Sequence, residues 1–246
     1  FVGHSLGGII GTSFVALANE TAGQNPIGNP NIEPITAASL VTPGAGIVKL
    51  LENSPSLGGV VLEPLQGQGL VQGRSDFELF FNIAQGVQDS AEPLNFAAML
   101  NESGTPVYVN EIFGDGADRS TQDQTIPIAA DEAFAGPYTA PRGMALPAPL
   151  AGTEPLLSLL DANNVTGPSG IFGTGNIEPT GTNVVRFTSG THGTIRSPSG
   201  PAGVAVFADM ATNIITFFAT GGQGIDFQNG NFVKQNNFPQ YEPGND

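Results

Sequence analysis

Apolar positions along this chain change period several times, and each change marks an element. Phe1-Val2 closes a short apolar run at a glycine, and Gly8 to Ala18 (GIIGTSFVALA) follows as an apolar, helix-compatible stretch. Ile35 to Thr42 (ITAASLVT) is β-branched and apolar and is stopped by Pro43-Gly44, which predicts a buried strand. Pro106 to Phe113 (PVYVNEIF) is the clearest strand, ended sharply by Gly114-Asp115-Gly116, and Asn183 to Thr188 (NVVRFT) reads as the last main strand. From Gly44 to Thr105 the pattern is instead helical, in pieces: Ile47 to Asn53, Ser75 to Gln88 and Pro93 to Leu100. Ser75-Asp76-Phe77-Glu78 predicts a capping box at the head of the second piece. Behind it Phe77, Phe80, Phe81, Ala84 and Val87 recur at helical spacing. Thr153 to Asp161 predicts a short helix, and Ala202 to Ala219 a closing helix with Phe207, Met210, Ile214 and Phe217 on one face.

Between these elements, Thr21 to Pro34, Ala133 to Pro149 and Asn163 to Thr182 are turn-rich, as is Gly221 to Asp246 apart from a short strand around Asn231 to Lys234. Strands separated by helices predict an α/β fold, a mostly parallel sheet flanked by helices. Within one domain over 1–246, the segment 44–105 reads as a helical cap or lid insertion and 221–246 as a loop-rich tail.

Composition narrows the possible chemistry. Hydrophobic residues make up 39% of the 246 and charged ones 12%, which is globular rather than disordered. There are 22 Asp and Glu against 7 Lys and Arg, a net charge of −15. Such a surface repels phosphate backbones, so nucleic acid is not an expected partner. The chain has no cysteine, which excludes disulfides, thiol catalysis and thiolate metal sites. No membrane-spanning segment is expected, because Asp209, Thr212 and Asn213 interrupt the most apolar stretch.

Only two histidines exist, His4 and His192, and their settings differ. Gly3-His4-Ser5-Leu6-Gly7 is a Gly-x-Ser-x-Gly sequence between a strand end and a helix start. A sharp turn there lifts the serine hydroxyl clear of the sheet, with Gly3 and Gly7 expected to relieve crowding. Ser5 is then a candidate nucleophile, and the backbone N–H of Leu6 a candidate oxyanion donor at a helix N-terminus. A serine needs a base, and the base an acid. His4 adjoins Ser5, so its side chain should point away from the hydroxyl and serve packing and hydrogen bonding. His192 lies in Ser189-Gly190-Thr191-His192-Gly193-Thr194, between the last strand and the last helix, and is the candidate base. The acid is sought after the Pro106–Phe113 strand, where Asp123 precedes Gln124-Thr125-Ile126-Pro127 and Asp115 and Asp118 are rivals by position. Three aspartates could form a calcium loop, but their spacing matches none, and no metal or cofactor is expected. Phe77, Phe80 and Phe81 have two readings: core packing, or the wall of an acyl-chain pocket beneath the insertion.

The motif at Gly3–Gly8, Asp-x-x-Ile-Pro at Asp123, and Thr191-His192 together resemble an α/β-hydrolase in the order nucleophile, acid, base. Asp89-Ser90-Ala91-Glu92-Pro93-Leu94-Asn95-Phe96 and Val109-Asn110-Glu111-Ile112-Phe113-Gly114-Asp115-Gly116 narrow the likeness to bacterial extracellular lipases of the virulence-factor type. The resemblance implies cofactor-free hydrolysis of lipid acyl esters through an acyl-enzyme, by a protein that is secreted or displayed on the outer membrane. It also implies that the chain is the C-terminal part of a longer protein, with the first strands and the second oxyanion donor preceding Phe1. The 246 residues alone would then be inactive or marginally folded. A peptidase or polyester depolymerase would share the same residues, and a catalytically silent binding protein would share the fold.

Overall fold

The computed structural model describes residues 1–20, 33–115, 118–130 and 144–235. The turn-rich segments read at 21–34 and 133–149, the Gly116-Ala117 step and the end of the 221–246 tail lie wholly or partly outside the described residues. Among the described residues seven strands form: β1 (Val2–His4), β2 (Ala38–Val41), β3 (Val107–Ile112), β4 (Asn163–Asn164), β5 (Gly173–Thr174), β6 (Thr182–Phe187) and β7 (Asp226–Phe227). Five of them make one sheet in the order β1-β2-β3-β6-β4, with every neighbouring pair parallel. β5 and β7 pair antiparallel outside it. The helices are α1 (Leu6–Glu20), α2 (Ile47–Asn53), α3 (Gly58–Gly67), α4 (Ser75–Gln88), α5 (Ala97–Glu102), α6 (Thr153–Leu159) and α7 (Gly200–Ala219). The α/β class and the mostly parallel sheet are those the pattern predicts.

β3 and β6 are buried along their whole length, as parallel strands covered on both faces must be. Alternate residues serve opposite layers. Val107, Val109 and Val184 meet α1, α5 and α6 through Val15, Ala16, Leu100, Leu156 and Leu157. Tyr108, Ile112, Val185 and Phe187 meet α7 through Val206, Met210 and Phe217. Each fully buried aliphatic side chain in these layers contributes about 1.5–3 kcal/mol, so the two layers are what hold the sheet's carboxyl edge in place.

The helical segment divides. α2, α3 and α4 bury Leu62, Phe77 and Phe81 in a cluster of their own. α5 and the 3-10 turn Pro93–Phe96 instead pack on α1 and belong to the sheet core. The stretch from 44 to 105 is therefore a helical layer followed by the crossover helix that returns the chain to β3. α3 escaped sequence reading because glycines flank it and Pro64 sits inside it. The capping box does not form: Arg74 is the N-cap of α4, Ser75 is already helical, and the Glu78 carboxylate takes Lys49 Nζ.

α7 corrects two further expectations. Of the expected face, Met210 and Phe217 are buried and Ile214 packs against the same cluster, but Val206 takes the place of Phe207, and the buried stripe also carries Asp209 and Asn213. By length and composition it is also apolar enough to cross a membrane, against the expectation drawn from Asp209, Thr212 and Asn213; two of these, Asp209 and Asn213, are buried. In the fold those residues face inward. Asp209 accepts the backbone N–H groups of Gln228, Asn229 and Gly230 at 2.7, 3.0 and 3.1 Å. Asn213 accepts from the Tyr108 hydroxyl and donates to the Asp226 carbonyl. The helix thereby pins the 226–230 segment to the sheet. The strand expected around Asn231–Lys234 is reduced to one bridge, Phe187 with Val233.

Candidate active site

Three loops meet beyond the carboxyl edge of the sheet, where side chains in open α/β folds are free to form a site. The first is the turn between β1 and α1. Ser5 has φ of 56°, a left-handed conformation that costs a non-glycine residue on the order of 1–3 kcal/mol. Its N–H donates to Val41 O at 2.9 Å, and its carbonyl accepts from Gly8 N and Ile9 N. A Cβ on Gly3 would overlap the Gly7 carbonyl, so glycine is required there. Gly7 behaves otherwise than expected: a Cβ there meets nothing within 4 Å. Gly8 is the tighter of the two, with a Cβ falling 3.2 Å from Gly3 O and from Pro43 Cβ. Leu6 opens α1, so its N–H is among the first-turn donors that lack an intrahelical acceptor.

The second loop leaves β3. Asp123 N–H donates to Ile112 O at 3.0 Å, which ties the loop back to the strand end. Asp123 is 4% exposed, and both of its carboxylate oxygens accept hydrogen bonds. Oδ1 accepts from Thr125 N at 2.7 Å and Ile126 N at 3.0 Å, and Oδ2 accepts from His192 Nδ1 at 2.7 Å. The rival aspartates build the loop: Asp115 accepts from Asp118 N and the Thr121 hydroxyl, and Asp118 accepts from Ser120 N to cap the 3-10 turn Arg119–Thr121.

The third loop follows β6 and carries His192. Gly190, at φ of 112°, begins the bend, and Thr191 and Thr194 close it through Thr191 N–H to Thr194 Oγ1 and Thr194 N–H to Thr191 O. Because a carboxylate only accepts, His192 Nδ1 must donate, and Nε2 is left with its lone pair. Among the described residues neither Nε2 nor the Ser5 hydroxyl has a hydrogen-bond partner. Serine–base contacts often tighten only when substrate binds.

His4 joins the first loop to the third. Its Nε2–H donates to the His192 carbonyl at 2.9 Å, and the two imidazoles lie 4.9 Å apart between centroids. Burial, more than any neighbouring charge, lowers the His4 pKa below its ordinary value. Ser5, Asp123 and His192 are thus assembled from three strand ends. The phenylalanines are not gathered with them. Phe77 and Phe81 are buried and stacked at 4.2 Å in the α2–α4 cluster, and Phe80 is 42% exposed. A cavity of about 500 Å³ in that layer, between Lys49, Glu78, Gln85, Leu94 and Leu150, includes none of the three catalytic candidates.

A buried ion cluster beneath the site was not anticipated. Arg186 on β6 makes a bidentate pair with Glu154, at 2.6 and 2.9 Å, and donates to Asn164 Oδ1 at 2.8 Å. Glu111 lies opposite Arg186 in the β3–β6 register, with Oε2 3.3 Å from Arg186 Nε. Among the described residues neither Glu111 oxygen accepts a hydrogen bond from an N–H donor, and it can share one with Glu154 only if one of the two carboxyls holds a proton. Burial first, and the Glu154 charge second, raise the Glu111 pKa well above the ordinary range. The signal in the sequence is a charged residue, Glu111 or Arg186, inside each of the two strands read most clearly from the pattern. Among the described residues no group of three or more His, Asp or Glu is placed to hold a metal ion. Comparison of the chain with protein-family models, with curated proteins and with solved structures finds no match.

Proposed function

We propose that the chain is a serine hydrolase of the α/β-hydrolase type that cleaves carboxylic esters of lipids through an acyl-enzyme. Ser5 Oγ attacks the ester carbonyl while its proton passes to His192 Nε2. The negative charge that develops on the carbonyl oxygen meets the Leu6 N–H at the start of α1. His192 then gives its proton to the departing alkoxide as the carbon–oxygen bond breaks, and water repeats the sequence to release the acid. Asp123 holds the imidazole in the required tautomer and stabilises its cationic form.

The observation that carries this reading is the 2.7 Å contact between Asp123 Oδ2 and His192 Nδ1, made by a loop that is itself bonded to the residue before Ser5. A satisfied acid–base pair beside a serine with left-handed backbone has an economical explanation in nucleophile activation. The lipid preference, and an extracellular or outer-membrane location, rest on the resemblance of the 89–96 and 109–116 segments.

Fluorophosphonate labelling of the full-length protein, with mapping of the adduct, tests the chemistry. The expected outcome is an adduct on Ser5, lost in Ser5→Ala and strongly slowed in His192→Ala. A folded wild-type protein that does not label would remove the hydrolase reading and leave a binding role for the fold. Ester chain-length profiling against peptide substrates then separates lipid esters from peptides.

A further inference from the structure

We propose that His4 is the positioning residue of the base loop, holding the His192 backbone at the height of the nucleophile turn. The inference rests on the hydrolase reading above and adds a residue to it. Asp123 fixes only one coordinate of His192, the rotation of the ring, through Nδ1. It does not fix how far the loop stands from the serine. That distance is set from the other side, where His4 Nε2–H donates to the His192 carbonyl at 2.9 Å. His4 is the last residue of β1 and the immediate neighbour of Ser5. Its backbone pairs with Val41 in the β1–β2 register, so its own position is referenced to the sheet. Base and nucleophile are therefore located from the same strand end. The tilted stacking of the two rings, 38° between planes, adds a second contact along the same line.

The contact also has an electrostatic side. His192 must become cationic as it takes the serine proton, and a charge on the adjacent His4 ring would oppose that. The groups facing His4 are His192, Arg196 and Asp123; the first two oppose its protonation, and burial opposes it more strongly than either. An uncharged His4 keeps its donor to the His192 carbonyl and puts no cation beside the base.

The test compares His4→Phe, which keeps a ring and loses the donor, with His4→Gln, which keeps a donor and cannot titrate. Fluorophosphonate labelling separates two quantities: the amplitude counts folded sites, and the rate constant measures their reactivity. For His4→Phe the amplitude should stay near wild type while the rate constant falls about 10–100-fold, the scale expected of a base displaced by a fraction of an ångström to an ångström. His4→Gln should recover most of that loss, and its rate should fall less steeply on acidification because one titrating ring is gone. For ester hydrolysis the loss should appear in kcat with KM little changed. A fall in amplitude at an unchanged rate constant would make His4 a merely structural residue and overturn the inference. So would equal reactivity of His4→Phe and wild type.

Failure of the underlying hydrolase reading looks different, because wild type itself would not label. In that case the proton NMR resonance of His192 Nδ1–H still reports the geometry. It should broaden or shift in His4→Phe and persist in His4→Gln, and an unchanged resonance in both would overturn the positioning role.

Discussion

Asp123 and Glu111 are carboxylates buried at the same end of the same strand, and the protein treats them in opposite ways. Asp123, in the loop tied to Ile112, receives three donors: two backbone N–H groups and the His192 ring. Glu111, one residue before Ile112, receives none of its own and shares its surroundings with Glu154 and an arginine already committed to that partner. Depth does not separate them, since they are 4% and 1% exposed. The supply of donors does. A loop can turn its N–H groups onto a side chain, whereas N–H groups inside a parallel sheet are already spent on neighbouring strands. A carboxylate supplied with backbone donors is therefore built just beyond the strand, and one buried within it must rely on other side chains. Asp209 obeys the same rule from a helix, accepting three N–H groups of the 228–230 loop.

Breaking the Asp123 side of the comparison should have the largest effect. In Asp123→Asn the carbonyl oxygen must still accept from Thr125 and Ile126, which leaves the amide NH2 facing His192. Nδ1 is then forced to accept, the ring proton moves to Nε2, and the base can no longer take a proton from serine. Labelling of Ser5 should slow by about 10⁴-fold with the circular dichroism spectrum retained, since a wrong tautomer in a Ser-His-Asp arrangement costs about that much. A loss below tenfold would show that Asp123 does not set the tautomer.

The buried cluster should respond in stability instead. Arg186→Met leaves Glu154 and Glu111 without this cation and removes the Arg186 hydrogen bond to Asn164. Removing one partner of a buried pair costs about 3–5 kcal/mol, to be read from urea unfolding midpoints. Removing both charges, in Arg186→Met with Glu154→Leu, should recover much of that, because an apolar replacement of the whole pair is close to neutral. A double variant as unstable as the single one would mean that the cluster serves packing more than charge compensation.

What the sequence made legible follows the same division between strands and loops. β3 and β6 could be read because their apolar runs end abruptly in glycine-containing turns, and the turn between β1 and α1 because Gly3 is sterically obligatory. Asp123 and His192 were legible as loop residues following those runs. Two other features were hidden by compensation at a distance. Asp209 and Asn213 look like interruptions of a helix face until the 226–230 segment supplies their partners. Ser75 and Glu78 have the right spacing for a capping box, but Glu78 is drawn off by Lys49, some thirty residues away in sequence and adjacent in space. The phenylalanines at helical spacing were read both ways. Phe77 and Phe81 lie in the core of the helical layer, where Leu62 of α3 packs on them, and that helix had no periodic pattern to announce it.

Glu111 itself offers the finest test, one of slope more than of loss. Burial first, and the Glu154 charge second, raise its folded pKa above the unfolded value, so folding favours the protonated form. The stability this provides is fully present below the ordinary glutamate range and is lost as pH rises from there through the raised folded value. One proton can contribute at most about 1.4 kcal/mol per pH unit. Glu111→Gln removes the titration while keeping a donor that can face Glu154, as protonated Glu111 does. The difference in unfolding free energy between wild type and Glu111→Gln should therefore favour wild type most in acid and move toward the variant as the solution becomes neutral. Other titrating groups, including Glu52 with its own raised pKa, are common to both proteins and cancel in the difference. A difference that is flat with pH would mean that Glu111 titrates alike in the folded and unfolded chain. The contrast with Asp123 would then lie in hydrogen-bond geometry alone and not in protonation.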